Sequence, residues 1–381
     1  MASHAAMKLL AYVHLRRIHN ATGAGRVVRN IVEQLELLGQ DEIRILVDRT
    51  DRREVIPKVG KPWSDYRYLD FALDTSWQQA LWIATGRPRA EHWWPEAELV
   101  YCTSESYVPT RRAKSVVTLH DASYFEPSAL PRDAGFARQK AKWQVLYGKL
   151  ERKVDMFHTV SQFSAERIAH FYPAMQDRLR VVHNGATERF FQPPNTVGEA
   201  ELERLGLRDR PFVLLSGGLS YRKNADVALA AWPRLRAMHP DLLLVVPGQC
   251  TPDYVERAKA IGASIVMAGF VSDDTLCSLY HAARLVWFPS LYEGFGIPVI
   301  EAMICGTAVV ASNSSSIPEV AGDAALLVDP SSPDQHVAAL DSLLTDDSAR
   351  AGLVARGLER GRRFTWKAAA TTLRGYLAEL A

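Results

Sequence analysis

Two glutamates flank a glycine-containing turn in the second half of the chain. Glu293 directly precedes Gly294-Phe295-Gly296, and Glu301 follows about one turn into a predicted helix, which a proline at its start favours. The glycines leave the backbone amides of the turn open to a ligand. The spacing therefore predicts two carboxylates that can accept hydrogen bonds from ligand hydroxyls, with an ion pair or a helix cap as the alternative.

Two adjacent cations follow a glycine pair earlier in the same half. Gly217 and Gly218 come after a predicted strand, and Arg222 and Lys223 directly precede the next predicted helix. Positive charge at a helix N-terminus opposes the helix dipole, at a cost of about 0.3–1 kcal/mol. A diphosphate bound between the two side chains would remove that conflict, so the segment predicts a phosphate-binding loop. The alternative is that both side chains point into water.

Another glycine pair, Gly23 and Gly25, follows the first predicted strand and opens an amphipathic helix. Glycines at a helix N-terminus suit an anion or an acceptor, although Gly-x-Gly is also a common turn. A dinucleotide-binding loop needs a third glycine and an acidic residue that closes the second strand. The third glycine is missing and only Asp48 comes near the acidic position, so an NAD-dependent dehydrogenase is disfavoured.

Strands must position these loops, and short runs of Val, Ile and Leu alternate with longer amphipathic stretches along the chain. The alternation is typical of buried parallel strands joined by helices. In the first half the predicted strands span residues 8–15, 43–47, 99–102, 115–119, 156–160 and 179–182. They predict one doubly wound domain over residues 1–190.

The pattern restarts after residues 185–210, which hold no strand-like run and are assigned to the interdomain linker. The predicted strands of the second half span residues 211–216, 242–246, 264–268, 285–288, 308–311 and 325–328. They predict a second doubly wound domain over residues 205–365, followed by an amphipathic helix over residues 366–381 that can pack back on the first domain. The predicted fold class is α/β, with two Rossmann-like domains facing across a cleft that receives ligands beyond the strand ends.

Composition argues against several classes of protein. A chain of 381 residues exceeds one ordinary core, which supports two domains. Its apolar runs stay below the roughly 20 residues of a membrane span, and Arg16 and Arg17 stand where a signal peptide would be cleaved, so we expect a cytoplasmic protein. A net charge of +2 disfavours nucleic acid as a partner. The basic residues 138–153 leave peripheral contact with the inner membrane surface as an alternative to a solvated helix face.

The four cysteines, Cys102, Cys250, Cys277 and Cys305, form no Cys-x-x-Cys pair, and we assign no histidine to them at ligand spacing. They predict buried thiols, and neither a zinc site nor a disulfide framework. No strand-end loop carries an Asp-x-Asp motif. The sequence therefore predicts no metal site.

Together these motifs resemble the retaining nucleotide-sugar glycosyltransferases of family 4, group 1 type, which have the GT-B fold. Glutamates eight positions apart around Gly-Phe-Gly-Ile-Pro carry the likeness most strongly. Further matching segments are residues 23–26, 118–121, 159–164, 181–185, 217–224 and 315–325. Their order and spacing extend the resemblance over nearly the whole chain, and within the family the phosphate loop is similar to that of bacterial mannosyltransferases.

The resemblance implies that the sugar donor lies mainly on the second domain. Arg222 and Lys223 would hold the diphosphate, Glu301 would bind the ribose hydroxyls, and Glu293 would contact a hydroxyl of the donor sugar. The backbone of residues 294–296 would line the sugar and the phosphates.

Three further positions follow from the same resemblance. His120 would reach the transferred sugar from the first domain, and the stretch with Phe270 and Val271 would read the base through its backbone. Many relatives carry arginine where this chain has Gly218. A subgroup has glycine there and arginine directly before the lysine, so Arg222 is expected to supply the charge.

The family implies transfer with retention of anomeric configuration, by same-face attack in which the leaving phosphate accepts the acceptor proton. The cations would then balance the charge on the leaving diphosphate, so the reaction is expected to need neither a metal nor a cofactor. GDP-mannose is the favoured donor and a UDP-hexose the second. The expected acceptor is a saccharide or a lipid-linked saccharide, in surface polysaccharide biosynthesis.

Two alternative functions share this architecture. A nucleotide-sugar epimerase or a phosphorylase-like GT-B enzyme would act without a second carbohydrate. A sugar-binding two-lobed protein without catalysis would share the domains and the cleft, and usually carries a signal peptide. Trp82, Trp93 and Trp94 are aromatic candidates for an acceptor surface, with packing as the alternative.

Overall fold

A computed structural model describes residues 6–16, 23–127, 129 and 134–381. The described chain divides into two compact units. The first unit holds the described residues up to Phe125, residues 134–184 and Trp366–Ala381. The second holds Gly185–Thr365 together with the described residues of 126–132.

One parallel sheet organises the first unit. In the described part of this unit its strands are β1 Lys8–Tyr12, β2 Glu42–Asp48, β3 Tyr68–Phe71, β4 Leu99–Cys102, β5 Lys114–Leu119, β6 Met156–Thr159 and β7 Leu179–Val181. Their order across the sheet is β3-β2-β1-β4-β5-β6-β7. Strands β4 and β6 are buried along their whole length, as expected where helices cover both faces of a parallel sheet.

Helices and aromatic side chains complete this unit. Its helices before residue 185, as far as the structure describes them, are α1 Gly23–Leu38, α2 Arg49–Val59, α3 Thr75–Thr85, α4 Ala134–Lys153 and α5 Gln162–Phe171. Trp82 and Trp94 are 0% and 2% exposed, and the Trp82 indole donates a 2.8 Å hydrogen bond to the carbonyl of Pro88. These two tryptophans therefore pack in the core, which was the alternative to an acceptor surface.

The sheet of the second unit is also parallel. Its strands are β8 Phe212–Leu215, β9 Leu243–Pro247, β10 Ile265–Gly269, β11 Leu285–Phe288, β12 Val309–Ser312 and β13 Leu326–Val328. Their order is β10-β9-β8-β11-β12-β13. From β8 the chain adds β9 and β10 on one side, and then crosses over to add β11, β12 and β13 on the other side, so the strand order reverses between the neighbours β8 and β11. A ligand crevice opens at such a reversal, beyond the carboxyl ends of the two strands. The loops after β8 and β11 are thus placed side by side.

Eight described helices surround this second sheet. They are α6 Thr196–Arg204, α7 Ala225–Met238, α8 Pro252–Ile261, α9 Asp273–Ala282, α10 Ile297–Ile304, α11 Ile317–Ala321, α12 Pro333–Thr345 and α13 Asp347–Gly361. The core contains Trp287, whose indole donates a 3.0 Å hydrogen bond to Nδ1 of His336. Burial lowers the pKa of His336 to about 4, so this ring stays neutral and can accept that bond.

The final helix, α14 Trp366–Leu380, belongs to the first unit and packs on α1. Arg374 forms a two-pronged ion pair with Asp41, with Nε–Oδ2 and Nη2–Oδ1 distances of 2.8 and 2.9 Å. The two side chains are only 10% and 1% exposed. Removing either partner of a buried ion pair would leave the other charge buried and unpaired, at a large cost in stability. The pair therefore fixes α14 firmly to its own unit.

The predicted α/β class with two doubly wound sheets is confirmed, and the structure adds two elements. Strand β3 was missed because it is only four residues long and carries Asp70, which pairs with Arg49 and Arg52. The segment predicted as linker contains α6, which Asn195 caps through a 3.0 Å bond from Gly198 N. Within the described ranges, no helix combines the length and the hydropathy that crossing a membrane requires.

Candidate functional site

The loop after β8 turns sharply at two glycines. Gly217 and Gly218 have φ values of +107° and +81°, and a Cβ atom at Gly218 would lie 1.9 Å from the carbonyl oxygen of Gln249. The same carbonyl accepts a 3.2 Å hydrogen bond from Leu219 N. A Cβ at Gly217 would lie 2.9 Å from Cε of Lys223. Glycine is thus needed at both positions. At Gly218 a side chain would overlap the backbone of Gln249, and at Gly217 it would overlap the side chain of Lys223.

Replacing Gly218 by alanine is expected to destabilise the protein by more than about 2 kcal/mol, because positive φ alone costs an L-residue roughly 1–2 kcal/mol. The added methyl group would also overlap the backbone at Gln249. Urea unfolding measures the loss. Gly206→Ala is the matched control, since Gly206 has φ +67° and no atom within 4 Å of the added Cβ. Equal losses for the two variants would contradict the role of the close approach.

The next residues of this loop fasten it to the loop after β11. Asn224 adopts a left-handed conformation with φ +56°, and its side-chain amide donates to the carbonyls of Pro289 and Pro330 at 3.0 and 2.6 Å. Leu291 N donates to the carbonyl of Arg222 at 2.9 Å. The two loops are therefore one rigid assembly, in which Arg222 and Lys223 face the glutamate turn.

An ion cluster joins the two loops. Lys223 Nζ lies 2.7 Å from Glu293 Oε1, and Arg222 Nη1 lies 3.0 Å from Glu293 Oε2. The side chains of Lys223, Glu293 and Arg222 are 13%, 9% and 37% exposed. Lys223 Nζ also lies 4.8 Å from the ring centroid of Phe288, a favourable cation–π distance. The ion-pair alternative for Glu293 is thus realised, and the pair is screened only weakly because it is largely buried.

Charge dominates the protonation of this cluster. Burial alone would raise the pKa of the Glu293 carboxyl, but the charges of Arg222 and Lys223 outweigh it and lower that pKa from 4.5 to about 2. Burial lowers the pKa of Lys223, with Glu293 opposing the change and Arg222 adding to it. Glu293 is therefore the group that favours a cationic Lys223 in its buried position.

Two serine side chains form hydrogen bonds with the backbone of the turn at Glu293–Gly296. Glu293 N donates to Ser315 Oγ at 3.0 Å, and Ser316 Oγ donates to the carbonyls of Glu293 and Phe295 at 2.9 Å each. Phe295 is 3% exposed and its ring contacts Phe364 edge-on, with centroids 5.8 Å apart. The serine bonds and the buried Phe295 ring therefore fix the path of the turn, in which Gly294 is half-buried and Gly296 buried.

Glu301 lies on α10 and is 1% exposed. The hydroxyl of Tyr280 donates to Glu301 Oε2 at 3.1 Å and lies 3.0 Å from Ser216 Oγ. Glu301 is thus already engaged by a tyrosine hydroxyl, and its role towards a ligand stays a prediction. A ligand hydroxyl could contact it only after the covering residues move.

The remaining predicted positions of the second unit follow β10. Gly269 ends this strand with φ +66°, and its carbonyl accepts a 2.7 Å bond from Gly248 N. Phe270 is 69% exposed and Val271 is half-buried. This segment thus lies beyond the carboxyl end of a strand that is two places from β8 in the sheet.

Three predicted positions lie in the first unit. Gly23 is exposed and Gly25 buried at the start of α1, and the turn before Gly23 lies outside the described residues. His120 follows β5, and its backbone N–H donates to Glu105 Oε1 at 2.8 Å. The buried His120 Nε2 has no hydrogen-bond partner among the described residues. His120 is therefore held by its backbone, with one ring nitrogen uncommitted.

A buried polar group supports the strand that leads to His120. His158 Nδ1 lies 3.1 Å from Thr118 Oγ1 and 3.3 Å from the hydroxyl of Tyr101. Burial, together with the nearby His120, lowers the pKa of His158 to about 3. This ring is therefore neutral at physiological pH, and its hydrogen bonds connect β6 to the side chains of Thr118 on β5 and Tyr101 on β4.

One cluster of side chains in the second unit was not predicted from the sequence. Cys277, His281 and Cys305 place their sulfur and nitrogen atoms within 4.8 Å of one another. The prediction that no histidine stands at ligand spacing from a cysteine is wrong, because Cys277 and His281 lie four residues apart on α9 and face the same side. That spacing was the available signal.

Two doubly wound parallel sheets, one in each unit, are the architecture of the GT-B fold. Sucrose-phosphate synthase from Thermosynechococcus elongatus superposes with a TM-score of 0.75 at 20% identity, covering 98% of this chain and 99% of that chain. The Anabaena protein HepE in complex with UDP and glucose superposes with a TM-score of 0.74 at 17% identity, covering 98% and 100%. These likenesses establish the fold.

Sequence comparison identifies the family. The model for glycosyl transferases group 1 matches residues 199–360, and that for glycosyltransferase family 4 matches residues 21–189. The O-antigen chain mannosyltransferase B of Escherichia coli is 32% identical over 376 residues, or 93% of this chain and 96% of that protein. A phosphatidyl-myo-inositol mannosyltransferase of Mycolicibacterium smegmatis is 40% identical over 149 residues, or 38% and 39% of the two chains. The chain belongs to glycosyltransferase family 4 and is a transferase, as the resemblance implied.

Proposed function

We propose that this protein transfers mannose from GDP-mannose to a saccharide or lipid-linked saccharide, with retention of anomeric configuration and without a catalytic metal. The observation that carries the proposal is the convergence of Arg222 and Lys223 on Glu293, at the switch point of the second sheet. The similarity to mannosyltransferases supports mannose as the sugar and surface polysaccharide as the product class.

The cation pair would act on the leaving group. When the bond between the anomeric carbon and the β-phosphate oxygen breaks, its electron pair passes to that oxygen, and the nucleoside diphosphate gains a negative charge. Lys223 and Arg222 would stabilise that charge as it forms, which is the task otherwise given to a divalent metal. The acceptor oxygen would bond to the same face of the anomeric carbon, and its proton would pass to the departing phosphate.

Donor binding would require an exchange of partners. A diphosphate carries more negative charge than one carboxylate, so it would take over Arg222 and Lys223 from Glu293. Glu293 would then be free to accept a hydrogen bond from a hydroxyl of the transferred sugar, while the turn at Gly294 and Gly296 offers its backbone. We do not assign Glu293 as a nucleophile.

Further contacts would complete the proposed site, and among them His120 is proposed to take part in catalysis. Glu301 would accept hydrogen bonds from the ribose after displacement of its cover, and the backbone at Phe270 and Val271 would read the base. His120 would add a contact to the transferred sugar through its uncommitted ring nitrogen. A lipid-linked acceptor would bring the protein to the membrane surface, where the exposed basic residues of α4 suit anionic headgroups.

Thermal unfolding with added nucleotides tests this proposal. GDP and GDP-mannose are expected to raise the melting temperature by several degrees, because a ligand at 100 times its Kd stabilises the native state by about 2.7 kcal/mol. The shift should persist in EDTA, compared with a nucleotide-free sample that also contains EDTA. A shift with UDP and UDP-glucose alone would overturn the choice of donor, and a shift lost in EDTA would overturn metal independence.

A further inference from the structure

Two neighbouring helices of the second unit bring together two thiols and an imidazole. Cys277 and His281 stand one turn apart on α9, and Cys305 caps the C-terminal end of α10. Both cysteines are buried, whereas His281 is exposed. Residues far apart in the sequence thus form a compact group whose outer edge meets solvent.

The spacing of these atoms fits a tetrahedral cation. Bonds of about 2.3 Å to sulfur and 2.0–2.1 Å to nitrogen place a sulfur about 3.6 Å from a nitrogen, and two sulfurs about 3.8 Å apart. Cys277 Sγ lies 3.6 Å from His281 Nδ1, and all three ligand atoms lie within 4.8 Å of one another. Small rotations of the side chains would therefore complete three corners of a tetrahedron.

We infer that Cys277, His281 and Cys305 bind one zinc ion, with water in the fourth position. Two thiolates and an imidazole are a soft ligand set that selects zinc over calcium or magnesium. The exposed His281 leaves one side of the group open to that water. On binding, each thiol exchanges its proton for a bond to the metal, and two protons pass to solvent for each zinc ion. His281 Nδ1 donates a 2.9 Å hydrogen bond to the carbonyl of Cys277, so this bond would break and the ring proton would move through solvent to Nε2 before the Nδ1 lone pair binds the metal.

The present partners of the thiols show what a bound ion would hold. Cys277 Sγ lies 3.7 and 3.6 Å from the carbonyls of Arg189 and Gln192, and Cys305 Sγ lies 3.7 Å from the carbonyl of Phe190. These contacts are weak because a thiol is a poor donor. Zinc would replace them with two metal–sulfur bonds, and would join α9 to α10 beside the segment that leads into α6.

Nearby charge does not prevent binding of a cation. The guanidinium of Arg189 forms an ion pair with Asp274 and is 18% exposed, so its charge is already offset. Two thiolates neutralise the charge of zinc itself. The zinc group is also separate from the ion cluster, since it lies at the far end of α10 from the turn at Gly296. It would stabilise the fold and take no part in bond breaking.

Zinc titration of the reduced, metal-free, full-length protein against a chromophoric chelator tests this inference. One zinc ion per chain is expected, with release of two protons. His281→Gln should weaken binding by more than about 100-fold, the upper end of what losing an outer-shell partner costs. This variant removes an exposed ligand and leaves the core intact. With Co²⁺ as the probe, Cys305→Ser should lose intensity in the thiolate-to-metal charge-transfer band.

Cys250→Ser is the matched control, because Cys250 is half-buried in the same unit and lies outside the group. It should bind zinc as the wild type does. The melting temperature should also rise with zinc in the wild type and stay constant in His281→Gln. Absence of stoichiometric zinc, or equal affinity in wild type and His281→Gln, would overturn the site. Nucleotide-induced shifts compared at equal metal content test the donor site separately.

Discussion

Replacing Lys223 by methionine is expected to lower kcat/KM for the donor sugar by at least about tenfold. A charge-assisted hydrogen bond contributes roughly 1.5–3 kcal/mol, and each 1.36 kcal/mol corresponds to a tenfold change in rate. The lysine is held against Glu293 and over Phe288, so its ammonium is positioned before the donor arrives. Because the diphosphate gains charge as the bond breaks, kcat should fall together with kcat/KM. Steady-state kinetics at saturating acceptor measures both.

Lys259→Met is the matched control for this substitution. Lys259 lies on α8 of the same unit, is 59% exposed, and pairs with the exposed Glu256. Surface pairs of this kind contribute little, so both kcat and stability should be unchanged. If Lys223→Met kept the kinetics of this control, Lys223 would have no role at the phosphate.

Glu293→Gln is expected to abolish most of the activity while the protein remains folded. The amide keeps the shape of the side chain but loses the charge that orients Lys223 and Arg222 and accepts a sugar hydroxyl. A loss of 1.5–3 kcal/mol in the transition state corresponds to roughly 10- to 150-fold in kcat. Glu256→Gln, at an exposed carboxylate of the same unit, controls for the chemistry of the substitution. Near-full activity of Glu293→Gln would remove Glu293 from the site.

The same variant should reveal the ion cluster in unfolding experiments. The pKa of Glu293 is lower in the folded state, at about 2 against 4.5, so its carboxylate stabilises the fold above about pH 4.5. The shift corresponds to about 3 kcal/mol at neutral pH. Glu293→Gln should therefore be less stable than wild type at pH 7, and the difference should shrink as the pH falls towards 2. A difference independent of pH would contradict the ion pair.

Much of this site could be predicted from sequence, because its chemistry sits in loops that follow parallel strands. Lys223 and Glu293 lie 70 positions apart, yet both follow strands that the apolar pattern predicts, and strands β8 and β11 are neighbours. The sequence predicted that both loops follow parallel strands, whereas the structure shows that these two strands are neighbours and that the loops meet. The family resemblance added their roles.

The supporting contacts could not be predicted, because they depend on side chains that meet only after folding. Asn224 and Ser316 read in sequence as ordinary turn residues, and their bonds to backbone carbonyls follow from exact loop paths. Burial of Glu301 depends on Tyr280, which comes from a different helix. The proximity of the Cys277 and Cys305 thiols likewise requires α9 and α10 to pack side by side.

The return of α14 to the first unit has a consequence for how the protein is made. The ribosome must add the 181 residues from Gly185 to Thr365 between β7 and α14, which takes roughly 10–35 s at about 5–20 residues per second. During that time Asp41 lacks Arg374, and the surface of α1 that receives α14 stays uncovered. The N-terminal unit therefore starts to form before the other unit but is completed after it. A growing chain halted before Trp366 would leave the surface of α1 that receives α14 open to chaperones.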